Sequence, residues 1–183
     1  GHPVPIALTE WNVNKRVELR GMAAGVMMGE LIGRFLTGGV DMATMWPMRY
    51  SSGRHRFRSL LDRETNDPRP MYRVMHLFSA NLGPALVESS TRSFDIYPVA
   101  SLDEEEGTLT LFLMNKPLIR KNRTVTVKLQ DFSAETARGT LLRAPEPNSE
   151  NLSRRSIAVS GSGNEFTCEV PPFSIVMIEF TAR

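Results

Sequence analysis

One carboxylate and two tryptophans carry most of the chemistry this sequence offers. Glu10 stands in Thr9-Glu10-Trp11-Asn12, directly after the apolar run Val4 to Thr9, and Trp46 closes the run Val40 to Trp46 just before Pro47. At the C-terminal ends of parallel strands, a carboxylate can serve as nucleophile or general acid/base. A nearby indole offers a flat apolar face on which a sugar ring can stack. Each residue has a plainer reading alone: a solvated or ion-paired glutamate, and a tryptophan in the core. Their spacing gives the pair more weight, because the 29 residues between Glu10 and Val40 are ample for a crossover helix joining two parallel strands.

The elements that would hold these residues can be read in order. Val4 to Thr9 is a strand, with Pro5 as an ill-fitting member because proline donates nothing to a ladder. Arg20 to Thr37 is a helix closed by Gly38-Gly39. Its glycines at 21, 25, 29 and 33 leave a smooth stripe that costs about 1 kcal/mol of helix propensity each, which predicts close packing onto a sheet. Val40 to Trp46 is the second strand, and Asp67-Pro68-Arg69-Pro70 opens a second helix that Gly83-Pro84 stops. Beyond Pro84 the apolar period becomes two. Strands are expected at 85–89, 94–101, 108–115, 124–129, 137–143, 156–159, 165–170 and 174–180, with 108–113 half-exposed. The chain therefore reads as α/β followed by all-β, with a βαβα part over residues 1–83 and an antiparallel β-sandwich over 84–183.

Composition excludes several classes of function. A net charge of +2 over 183 residues gives no support to nucleic-acid binding. The most apolar stretch, Met22 to Leu36, contains Glu30 and Arg34, so no membrane span is expected. His2, His55 and His76 lack acidic or cysteine companions at ligand spacing, and no glycine-rich phosphate loop occurs, so neither a metal nor a cofactor is expected. The lone Cys168 reads as a small core residue. Gly1 to Pro5 gives no address, and the compartment stays open. The loop from Met48 to Arg69 carries Arg49, Arg54, His55, Arg56, Arg58 and Arg63. It reads either as a solvated basic loop or as one that favours an anionic polysaccharide.

Taken together, Thr9-Glu10-Trp11-Asn12, the small-residue helix, Met45-Trp46-Pro47 and the ending Val170-Pro171-Pro172-Phe173-Ser174 resemble the C-terminal portion of retaining glycoside hydrolases. Those enzymes carry a (β/α)8 barrel and a C-terminal β-sandwich, and the likeness is greatest to the family 51 α-L-arabinofuranosidases and their relatives. The resemblance implies the last two βα units of an incomplete barrel plus the sandwich. It makes Glu10 the catalytic nucleophile, with Trp11, Asn12, Trp46 and Arg49 as substrate-binding neighbours, and it implies a carbohydrate substrate. The six earlier barrel strands and the acid/base glutamate would precede residue 1, and Asn164-Glu165 reads as part of a sandwich hairpin. A fragment of this kind is expected to be inactive alone and to expose strand edges that invite homodimerisation. The alternative reading is a non-catalytic carbohydrate-binding or adaptor sandwich.

Overall fold

The computed structural model describes residues 4–13, 19–50, 57–116 and 121–182. His2, His55, Arg54 and Arg56 lie outside the described residues.

The first part is the expected βαβα unit. Strand β1 (Ala7–Trp11) pairs in parallel with β2 (Met42–Met45), and helix α1 (Gly21–Thr37) connects them. Helix α2 (Pro70–Asn81) follows, with Pro70 in its first turn, where its missing N–H costs nothing. The first strand begins three residues later than its apolar run suggests and ends two later, so Glu10 and Trp11 lie inside it. Ahead of the ladder, Asp41 ties down the strand entry: its Oδ2 accepts the Ile6 N–H at 2.7 Å, and its own N–H donates to the Ile6 carbonyl.

The second part contains nine strands among the described residues. They are β3 (Ala85–Val87), β4 (Ile96–Asp103), β5 (Thr108–Asn115), β6 (Arg123–Lys128), β7 (Ala134–Arg143), β8 (Ser153–Ile157), β9 (Val159–Ser162), β10 (Glu165–Val170) and β11 (Ser174–Ala182). Six form one sheet in the order β3-β4-β5-β11-β7-β8, and three form the other in the order β6-β10-β9. The expected strand 156–159 is thus two strands. The chain turns at Ala158 and passes from one sheet to the other, β8 pairing with β7 and β9 with β10.

The half-exposed strand expected at 108–113 is a correction. From Thr110 to Asn115 every residue of β5 is buried. Side chains alternate as the pleat requires, but both faces are covered: Leu111 and Leu113 join the core between the two sheets, whereas Phe112 and Met114 pack under the helices. Alternation of facing and alternation of exposure coincide only when one side of a sheet meets water. Here α1 and α2 supply the second cover, with the Phe78 ring stacked on Phe112 at 4.2 Å between centroids. One hydrophobic core therefore runs across Gly83-Pro84, from Met22, Val26 and Val74 to Val99, Ile175 and Met177.

The glycine stripe packs as expected. A Cβ on Gly29 would meet Met114 and Ile175 at 3.1 and 3.2 Å, and one on Gly33 would sit 2.4 Å from Val99 Cγ2. Gly21 serves the helix start. Its φ is +55°, and an added Cβ would lie 2.3 Å from the Asn148 carbonyl carbon. That closeness lets the 147–149 turn of the sandwich supply acceptors to α1, Ser149 O for Met22 N–H and Pro147 O for Ala23 N–H. These carbonyls satisfy orphan N–H groups that no side-chain cap reaches.

Candidate functional site at the strand ends

The parallel pairing of β1 and β2 brings the two singled-out runs together. Ala7 lies opposite Met42, Leu8 opposite Ala43 and Trp11 opposite Met45, so Glu10 and Trp46 sit at the same, C-terminal end of one sheet. Three steps along β1 from Leu8 to Trp11 match two along β2, so the extra residue of a bulge falls at Thr9-Glu10. Bulges re-aim side chains beside functional sites and are uncommon in parallel pairs. Glu10 is exposed. Trp46 is 49% exposed, meets Tyr50 edge-on at 5.4 Å between ring centroids, and is joined to Pro47 by a cis peptide.

The other singled-out residues do structural work in this arrangement. Asn12 Nδ2 donates to the carbonyls of Trp46 at 2.5 Å and Arg58 at 2.9 Å, and its Oδ1 accepts the Val13 N–H at 2.6 Å. With the Trp46 N–H donating to the Trp11 carbonyl, these bonds fix the two strand ends to each other. Trp11 is half-buried and meets Phe35 of α1 edge-on at 4.9 Å. Arg49 is exposed and donates from Nη1 to Asn66 Oδ1 at 3.0 Å. Glu10 and the Trp46 indole are thus exposed at the strand ends, where Asn12 holds the Trp46 carbonyl.

Sequence reading missed the group that anchors the rim. Arg69 is 7% exposed; its Nη1 contacts both carboxylate oxygens of Glu150 at 2.5 and 2.6 Å, and its Nη2 contacts Asp62 Oδ2 at 2.6 Å. The N–H groups of Glu64 and Thr65, both bonded to Asp62 Oδ1, hold the Asp62 carboxyl below the usual carboxylate range, and Arg69 adds to the effect. The segment that follows Trp46 is thereby pinned to the sandwich turn that also caps α1. A proline on each side of Arg69 signalled a helix start and nothing more. Among the described residues, no group of three His, Cys, Asp or Glu is placed to hold a metal ion.

No protein-family model matches the sequence, and no curated protein does. Solved structures do match. A glycoside hydrolase family 30 subfamily 8 xylanase from Clostridium acetobutylicum superposes with a TM-score of 0.74 at 16% identity, over 97% of this chain and 43% of its own. The chain shares the fold of part of that enzyme. A family 51 arabinofuranosidase from Xanthomonas axonopodis pv. citri gives 0.74 at 15% identity, over 97% and 41%. A family 44 xyloglucanase from Paenibacillus polymyxa gives 0.73 at 18%, over 98% and 32%. The chain therefore spans about a third to two fifths of the length of these structures and resembles the partial barrel plus sandwich of three families alike, not of family 51 alone.

Proposed function

We propose that this chain supplies the last two βα units and the β-sandwich of a retaining glycoside hydrolase acting on plant or microbial polysaccharide or oligosaccharide. In this reading Glu10 is the nucleophile and Trp46 the stacking face beside it. The observation that carries it is the shared C-terminal end of β1 and β2, with a bulge at Glu10 and the indole of Trp46 half-exposed on the adjacent strand. Retention needs a second carboxyl about 5 to 5.5 Å from the first, to protonate the leaving oxygen and then activate water. That acid/base would come from the barrel strands that complete the ring. Trp11 and Asn12 act through position: one seats β1 on α1, the other locks the two strand ends.

The β1-β2 sheet supports the need for those strands. Parallel sheets are ordinarily covered on both faces, yet here Val4 is 86% exposed, Ile6 50% and Met42 52%, around two strands with open edges. Such a surface calls for further barrel strands or, failing them, for a second copy of the chain.

The test is turnover of a panel of aryl furanosides and pyranosides by the purified chain, beside Glu10→Gln, together with covalent labelling by fluoroglycoside inactivators of a form extended by its upstream coding sequence. Background rates for the chain and a glycosyl adduct on Glu10 in the extended form are expected. An adduct on another carboxylate removes Glu10 from the role. Hydrolysis by the chain alone that vanishes in Glu10→Gln would mean that a second copy completes the site.

A further inference from the structure

A sizeable cleft lies far from Glu10. It lies between the C-terminal half of α1 and the segment joining β3 to β4, and its volume is about 690 Å³, within the range of small-ligand sites. Helix α1 runs back from the end of β1 that bears Glu10, and its 17 residues span about 25 Å. The cleft is therefore at the opposite end of the βαβ unit.

Its floor is a fixed polar cluster. Glu30 is 3% exposed; its Oε1 accepts from Arg34 Nε at 2.9 Å and Nη2 at 2.7 Å, and its Oε2 pairs with Lys116 Nζ. The Arg34 guanidinium also lies over the Tyr97 ring at 4.9 Å, and both residues line the cleft. Glu30 and Glu88 balance Arg34 and Lys116, so the lining carries no net charge. A neutral ligand rich in hydroxyls suits it better than an anion.

The rim carries the observation that the ion cluster leaves unexplained. Phe94 is 95% exposed, although its expected place was inside a strand beginning at residue 94. The strand starts at Ile96, and the backbone around Phe94 is pinned. The Ser93 N–H donates to Thr91 Oγ1 and the Asp95 N–H to Ser93 Oγ, the Asp95 carboxylate pairs with Arg123, and its carbonyl accepts the Lys116 N–H at 2.9 Å. An aromatic ring held in water by an ordered backbone, lining the same cleft as the Arg34 guanidinium, suits a sugar ring with one C–H face and equatorial hydroxyls.

We propose that this cleft is a second carbohydrate site, taking a neutral oligosaccharide chain at the end of the molecule opposite Glu10. The proposal rests on the carbohydrate reading above and deepens it: the protein would hold one stretch of polysaccharide here while another reaches the strand ends.

The experiment is a titration of the full chain with xylohexaose, cellohexaose and linear arabino-oligosaccharides, followed by amide chemical shifts and calorimetry, in wild type, Phe94→Ala and Trp46→Ala. Phe94 packs against little, so Phe94→Ala is expected to keep the wild-type circular dichroism and Tm. Binding of at least one oligosaccharide is expected, with shifts at Arg34, Phe94 and Tyr97 that persist in Trp46→Ala, and an affinity at that cleft about tenfold weaker in Phe94→Ala. Binding that Trp46→Ala abolishes and Phe94→Ala leaves intact overturns the second site while leaving the Glu10 reading standing. No binding of any oligosaccharide also overturns it, and adduct formation at Glu10 then judges the catalytic reading separately.

Discussion

Gly33 is a position where the absence of a side chain is what the fold requires. Alanine there would gain about 1 kcal/mol in helix propensity. Its Cβ, however, would sit 2.4 Å from Val99 Cγ2 and 2.8 Å from Tyr97 Cε1. Val99 is fully buried and β-branched, with no free rotamer to escape into. Overpacking costs about 1 to 3 kcal/mol, and the 2.4 Å approach to a stiff side chain puts the cost at the upper end, so Gly33→Ala is expected to lower stability by up to about 2 kcal/mol net in urea denaturation. Cys168 yields a different prediction. Burial, with a smaller contribution from the Glu169 charge, pushes its thiol up to about 11. At pH 8 only about one thiol in a thousand is ionised, and the side chain is 3% exposed. Maleimide should label it only after denaturant unfolds the chain. Both residues were legible in the sequence, one from its spacing and one from its place in an alternating run. The role of Asn12 was not, because its partners, the carbonyls of Trp46 and Arg58, lie 34 and 46 residues away along the chain.

At the scale of elements, what the sequence could show depended on whether the signal was local. The ends of α1 and α2 were marked by glycine and proline, and they fall within a residue or two of where the punctuation puts them. β5 was misjudged in exposure because its second cover comes from helices that precede it by two strands, and the corner at Ala158 was hidden inside one short, mostly apolar run. The Glu30 cluster shows the same dependence on distant partners, since it joins α1 to the chain just after β5. Burial alone would raise the Glu30 carboxyl, but hydrogen bonds and charge from Lys116 and Arg34 outweigh it and hold the group below its ordinary value. A depressed carboxyl contributes stability that is present above the unfolded value, about 4.3, and is lost as pH falls through the folded one. Glu30→Gln should therefore cost on the order of 2 kcal/mol at pH 7, below the figure for fully buried pairs because Lys116 and Arg34 are partly solvated. The gap between wild type and variant should narrow below pH 4, as read from denaturation midpoints at pH 7 and pH 3. A gap that stays constant with pH would remove the ionic account.

At the scale of the whole molecule, the division at Gly83-Pro84 is one of architecture, and we propose residues 1–83 and 84–183 as its two parts. Stability follows a different line. Val99, Phe112, Met114, Leu142, Ile175 and Met177 lie on the face of the six-stranded sheet that α1 and α2 cover, and each is at most 5% exposed. Removing the helices would bare six large apolar side chains at about 1.5 to 3 kcal/mol each. That is on the order of 10 kcal/mol, as much as the entire stability of an ordinary domain. It would also leave the 147–149 turn without the helix N–H groups it serves and Glu150 without Arg69. The full chain is thus expected to unfold in one transition, seen alike by tryptophan fluorescence, which reports only on Trp11 and Trp46, and by far-ultraviolet circular dichroism, which the strands dominate. Residues 84–183 expressed alone should aggregate or bind a hydrophobic dye. A monomeric, cooperatively folding 84–183 segment, or fluorescence and circular dichroism midpoints that separate, would show that the sandwich keeps its own core and that the helices merely rest on it.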